Sequence, residues 1–280
     1  MTWLKQLFNF YINASIHVAL SVVALTWITL IEYHIPFDSG MLYFVFFASI
    51  TGYNFVKYFG IAKFHHRRLA TWLKAIQVFS FFCFLFLCYY TFQLETVSLI
   101  YIFGFALITF FYAIPFLPRR IFVDTKQNLR SISGLKVYVI ALVWTGVTVF
   151  LPLINNHYPL DIDCVVTGIQ RFLFIIALMV PFEIRDLQYD SLKLATLPQQ
   201  IGVKRTKIIG ILLLICFFCL EFLKNNVTWY NLPALSVVTF ITMVCLVLSK
   251  KEQSAYYSSF FVEGLPILWL LIYLFFDYCN

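Results

Sequence analysis

The sequence predicts an all-α polytopic membrane bundle of about nine transmembrane helices, forming a single domain over residues 1–280. Three observations predict it. Hydrophobic residues make up 62% of the chain and charged ones only 12%, with a mean hydropathy of +0.86, whereas soluble domains carry about 25% charged residues. Nine apolar runs approach the roughly 20 residues that a helix needs to cross a bilayer. Lipid offers the backbone no hydrogen-bonding partner, so each run has to satisfy its own amides as a helix.

The runs follow one another between charges. Phe10 to Ile31 follows Lys5 and stops at Glu32; it has no small-residue cleavage site ahead of it and is expected to be a retained helix. Met41 to Phe59 lies between Asp38 and Lys63, and Trp72 to Phe92 between Arg68 and Glu95. Val97 to Leu117 ends at Arg119 and Arg120. Leu135 to Ile154 lies between Arg130 and Asp161, and Cys164 to Phe182 between Asp163 and Glu183. Lys207 to Leu223 stops at Lys224, Trp229 to Leu248 at Lys250 and Lys251, and Ser258 to Phe276 completes the set.

Charge alternates from one connection to the next. Eighteen of the 20 Lys and Arg fall at one end of the runs, while Glu32, Asp38, Glu95, Asp161, Asp163 and Glu221 fall at the other with Lys224. By the positive-inside rule the amino terminus and the basic connections are cytoplasmic and Asn280 is outside. The net charge of +7 is thereby explained by topology. Anionic lipid of the bilayer is the expected partner, and nucleic acid is not. The seven cysteines are scattered, mostly inside the apolar runs, and imply no disulfide framework; Cys216 and Cys219 are expected to pack. Two charged residues fall more than a turn inside runs, Arg171 and Glu263. Such charges are costly in a bilayer, so the expectation is a pair across the bundle, with Glu263 at the cytoplasmic cavity as the other reading.

Between Phe182 and Thr206 the chain is dense in charge. Glu183, Asp186 and Asp190 stand at i, i+3 and i+7, within about 60° of one helix face. Three carboxylates so gathered suit a hard cation such as Mg²⁺, which takes one or two carboxylates and keeps other positions for phosphate. Lys193, Lys204, Arg205 and Lys207 follow, placed for an anion carried by that metal. The same composition also suits a solvated loop whose acids and bases pair.

The run Glu-Ile-Arg-Asp-Leu-Gln-Tyr-Asp (183–190), followed by Thr196-Leu197-Pro198, Gly202 and Lys204-Arg205-Thr206, resembles the second aspartate-rich motif of the UbiA-type membrane prenyltransferases. Glu183 stands where that motif has its first Asp. The resemblance implies a UbiA-like bundle in which paired aspartate motifs hold a prenyl diphosphate through Mg²⁺, here on Glu183, Asp186 and Asp190. It further implies a setting in a bacterial inner (plasma) membrane. The first motif, Asn-Asp-x-x-Asp-x-x-x-Asp in the family, retains only Asn54; Phe55, Tyr58 and Ala62 stand in its acidic positions. Lys57 is a candidate replacement, contacting the diphosphate or pairing with Asp186. His65, His66, Arg67 and Arg68 would form an anion-attracting rim. Phe111-Tyr112-Ala113-Ile114-Pro115 up to Arg119-Arg120 resembles the family's Tyr-containing segment at the end of the fourth helix.

The expected function is transfer of a prenyl group from a prenyl diphosphate to an unidentified acceptor. Asp186, Asp190, Lys57 and Tyr112 are the candidate catalytic residues, and Asn54, Lys193, Arg205, Arg119 and Arg68 the substrate-binding ones. The alternative is a noncatalytic relative that binds a prenyl lipid or organises a complex. Aromatic residues, 20% of the chain, would line the bundle for an apolar tail, although most serve ordinary helix packing.

Overall fold

The computed structural model describes residues 2–62, 71–113, 134–188, 196–225 and 231–279, and among these the regular structure is helical. In chain order the helices are α1 (Thr2–Asn13), α2 (Ile16–Glu32), α3 (Ser39–Ala62), α4 (Thr71–Thr91), α5 (Thr96–Ala113), α6 (Leu135–Thr145), α7 (Leu151–Asn155), α8 (Ile162–Asp186), α9 (Leu197–Ile201), α10 (Val203–Cys219), α11 (Asn231–Leu248) and α12 (Leu265–Cys279). A π-helical turn, Gly146–Phe150, joins α6 to α7 in one span, and a second, Tyr257–Val262, leads towards α12.

Seven of these spans are long and apolar enough to cross a membrane, and α1 with α2 makes an eighth if that bent pair is one span. Thr96–Tyr112 is a shorter apolar helix. Each of the nine runs expected from the sequence therefore contains helix. The first run differs from expectation, because α1 and α2 meet at 53°. Ser15 breaks them by adopting a left-handed backbone, φ 63°, a conformation costly for a residue with a Cβ. Polar contacts hold that bend: Ser15 donates to Asn54 Oδ1 at 2.8 Å, and Asn54 Nδ2 donates to the Ala14 carbonyl at 3.0 Å.

The spans close on one another as a ring. α2 packs on α3 and α12, α11 on α12 and α10, α8 on α10 and α6, and α5 on α3 and α7; α4 lies against the outside of α3. The two helices with the longest runs of buried residues, α2 and α8, approach the π turn at Gly146–Phe150. Close approach there needs Gly146, since a Cβ would meet the Phe105 ring at 2.1 Å. In mid-bundle Phe174, Phe217 and Trp269 pack on one another with centroids 5.2–5.6 Å apart. Outward faces stay apolar, as lipid requires: Phe81, Phe82, Phe84, Phe86 and Phe103 are exposed.

At one end of the bundle the acidic connections close into a buried network. Lys224 bridges Glu32 and Glu221, Gln170 donates to Glu221 at 3.0 Å, and Tyr33 donates to Thr167 at 2.8 Å. Arg171 belongs here. It donates to the Leu25 carbonyl and Thr29 Oγ1, both at 3.3 Å, and lies 5.1 Å from the Trp269 ring. The expected pairing with Glu263 is overturned: Arg171 sits among these groups, whereas Glu263 has Lys57 and Arg185 as its charged neighbours. Sequence position gives depth along a helix, but the helix's rotation selects the partner.

Candidate functional site

The other end carries the charged residues near the carboxyl terminus of α8. Pro181 lies within that helix, and lacking an amide hydrogen it interrupts the regular ladder just before the acids. Gln253, after α11, donates to the Pro181 carbonyl at 3.0 Å and to Ser258 at 2.7 Å, which ties the acidic turn to the second π turn. Turns of that kind recur at functional sites. Glu263 follows directly after this one.

Glu183 is 4% exposed, and Asp186 is half-buried beside it. The first amino acids of α6 come up against them. Lys136 Nζ stands 3.3 Å from Glu183 Oε1 and donates to Asp186 Oδ2 at 3.1 Å. Arg185 closes on the other oxygen of Asp186, with Nε at 3.0 Å and Nη2 at 2.8 Å, while its Nη1 donates to Ser259 at 3.1 Å. The arrangement is two acids and two bases, locally neutral and strongly hydrogen-bonded.

Around it lie further groups. Tyr112 is buried and within electrostatic reach of Lys136 and of Tyr53, whose hydroxyl accepts from Trp144 Nε1 at 2.7 Å. Lys57 retains solvent exposure, donates to Ser15 Oγ at 2.9 Å, and lies 5.9 Å from the Tyr53 ring. Glu263, half-buried, is within electrostatic reach of Lys57, Arg185, Tyr53 and Tyr11. His17 completes this layer, with Nε2 2.9 Å from the Phe260 carbonyl and Nδ1 2.8 Å from the Tyr11 hydroxyl.

The sequence-derived candidates are thus distributed unevenly. Glu183, Asp186, Lys57 and Tyr112 converge on this end. Asn54 is close by but already committed, since its amide also donates to Ser80 at 2.8 Å and its oxygen accepts from Ser15. The idea that Lys57 pairs with Asp186 is replaced: Asp186 is held by Lys136 and Arg185. Arg205 is exposed on the first turn of α10. Asp190, Lys193, Arg119 and Arg68 lie outside the described residues, as do His65 and His66. Phe55 and Tyr58, in the acidic positions of the first motif, have structural contacts: Phe55 stacks on Phe110 and the Tyr58 hydroxyl donates to the Asn13 carbonyl at 2.9 Å.

Sequence reasoning missed the role of Lys136, counting it only among the basic connections. The available signal was an acid pair without enough bases on its own helix to balance it. The Thr-Leu-Pro and Gly of the tail also have a local explanation. Thr196 opens the short α9, with its amide donating to Gln199 Oε1 at 3.0 Å, Pro198 occupies the first turn, and Gly202 ends the helix at φ 82°. These residues shape the turn into α10.

Mg²⁺ is the cation that the motif implies. Among the described residues no three His, Cys, Asp or Glu side chains are placed to hold one. The two described acids already have ammonium and guanidinium partners, so an added dication would have to displace Lys136. As arranged, the described residues do not fit it.

No protein-family model matches the chain, and no curated protein matches it. Two solved structures do match in fold. One, from a study of digeranylgeranylglyceryl phosphate synthase in membranes, is 16% identical with a TM-score of 0.58, covering 97% of this chain and 98% of that one. The other, an apo UbiA homolog from Aeropyrum pernix K1, is 12% identical with a TM-score of 0.60, covering 94% of this chain and 98% of that one. The chain has the UbiA-like helical membrane fold over nearly its whole length.

Proposed function

We propose that the chain binds a prenyl diphosphate with its head at the Glu183, Asp186, Lys136 and Arg185 end and its apolar tail in the bundle, and passes the prenyl group to an acceptor. The observation that carries this reading is the convergence of that acid pair with Lys57, Tyr112 and Glu263 at one end of a UbiA-like fold. The fold match to a structure from a study of digeranylgeranylglyceryl phosphate synthase supports the class of substrate.

In the proposed reaction the bond between the prenyl C1 and the diphosphate oxygen breaks, and its electron pair leaves with pyrophosphate. Lys136, Arg185 and Lys57 supply positive charge where that negative charge grows, the kind of preorganised stabilisation that contributes most to such a step. Tyr112 is a hydrogen-bond donor for the departing oxygen. The acceptor's nucleophilic atom bonds to C1, and its proton goes to a base, for which Glu263 is our candidate. Aromatic faces along the bundle would shelter the cationic carbon. The acid pair fixes the orientation of Lys136 and Arg185.

A second reading, a noncatalytic binder of prenyl lipid, is favoured by Phe55 and Tyr58 standing in acidic positions of the first motif. Release of labelled pyrophosphate from prenyl diphosphates of several chain lengths, by purified protein in detergent, separates the two. The first reading expects release that falls at least about a hundredfold in Asp186→Ala. Binding without release, across chain lengths and acceptors, would establish the second; absence of both would end each.

A further inference from the structure

We infer that Lys136 is the resident counter-ion of the acidic motif, and that it makes recognition of a diphosphate head independent of a divalent metal. The inference rests on the proposed prenyl diphosphate and specifies how its head is held. The geometry is direct. One ammonium lies 3.1 Å from Asp186 and 3.3 Å from Glu183, joining two acids that stand one turn apart on α8. Arg185 takes the remaining oxygen of Asp186. The formal charges of these four side chains cancel, whereas an acid cluster built for a dication keeps net negative charge.

Size and cost point the same way. Mg²⁺ binds oxygen at about 2.0–2.1 Å and demands near-octahedral geometry. Placed between Glu183 Oε1 and Asp186 Oδ2 it would occupy the space of the Lys136 Nζ, and two like-charged cations cannot share it. Expelling Lys136 would separate a partly buried ammonium from both of its anions, which is unfavourable. A lysine is also a point charge with three donors. One is directed at Asp186, and the ammonium keeps donor capacity for a phosphate oxygen. Lys57 provides a second cation, from α3, in the stretch where the first acidic motif would otherwise supply metal ligands.

The bland account of Lys136 is that it ties α6 to α8 and does no more. Two measurements on the full-length purified protein distinguish these. In the first, Mn²⁺ alone is titrated and followed by electron paramagnetic resonance. Wild type and Lys136→Arg should show no saturable site below about 1 mM, and Lys136→Gln should gain one at least about tenfold tighter, because removing the ammonium takes away one positive charge beside the two acids and frees the space between them for a cation. In the second, farnesyl diphosphate binding is measured in EDTA and in Mg²⁺. Wild-type affinity should change less than about threefold between the buffers, while Lys136→Gln should weaken at least about tenfold in EDTA and recover in Mg²⁺.

Saturable Mn²⁺ binding by wild type below that concentration, or loss of its farnesyl diphosphate binding in EDTA, would overturn the inference. Should Lys136→Gln not fold, wild type and Lys136→Arg still decide it by the same two criteria. If wild type binds farnesyl diphosphate in neither buffer, the prenyl diphosphate reading fails, and the Mn²⁺ titration alone then decides whether Lys136 holds the metal's place.

Discussion

Asp186 accepts from three nitrogens on two side chains, Lys136 Nζ, Arg185 Nε and Arg185 Nη2. Only Arg185 is its neighbour in sequence; Lys136 is 50 residues away. The residue scale is therefore where sequence reading and structure part most. Charge identity is legible in a string of letters, but pairing requires the rotation of two helices to be known. Arg171 and Glu263 illustrate the point, each being found with other partners, Arg171 with Leu25, Thr29 and Trp269. A charge exchange tests that assignment. Arg171→Glu should unfold at lower temperature in detergent, and adding Glu263→Arg should not restore it. Recovery in the double variant, read by thermal unfolding, would show that the two are partners after all.

At the scale of elements, the network of Glu32, Lys224, Glu221 and Gln170 joins the end of α2 to α8 and to the turn after α10. Its lysine is nearly enclosed, with 5% of the side chain exposed. Removing one partner leaves the other charges unmatched, so Lys224→Met should cost about 3–5 kcal/mol, measured by chemical unfolding in detergent. Burial by itself lowers the Lys224 pKa, but Glu32 and Glu221 outweigh it, and the net direction is upward from 10.5. A raised folded pKa gives stability that is complete below the unfolded lysine value and is lost as pH rises through the folded one. Wild type should accordingly lose stability in alkaline buffer above pH 10.5, and Lys224→Met should lack that component.

The π turn at Gly146 makes a second element-scale test. Phe105 occupies the space a side chain would need, with three ring atoms within 2.7 Å of the added Cβ. Gly146→Ala should destabilise by about 1–3 kcal/mol through overpacking, whereas Gly104→Ala, which meets nothing within 4 Å, should be close to neutral. The two substitutions change the same atoms, so a difference in unfolding midpoint reports the packing of α5 on the turn.

For the whole molecule, the separation of charge fixes two dissimilar ends. One has the buried acidic network, and the other has Lys57, Lys136, Arg185 and the exposed Lys204 and Arg205. Our proposal that the basic end is cytoplasmic follows from the positive-inside rule. Single cysteines at Lys204 and Asn225 test it in a background without the native cysteines. A membrane-impermeant thiol reagent should label Asn225→Cys in intact cells and Lys204→Cys only after permeabilisation; the reverse pattern would invert the orientation.

Class and layout were legible because they depend on sums along the chain. A helical membrane bundle follows from long apolar runs and few charges, whatever the packing, since the backbone must bond to itself in lipid. The acid pair Glu183 and Asp186 was legible because both lie on α8, where spacing alone gives the face. The bend at Ser15, the Lys136 bridge and the separate surroundings of Arg171 and Glu263 were decided by tertiary structure alone. They depend on which helices pack and how each is turned about its axis, and a uniformly apolar surface gives that rotation little periodic mark in the sequence.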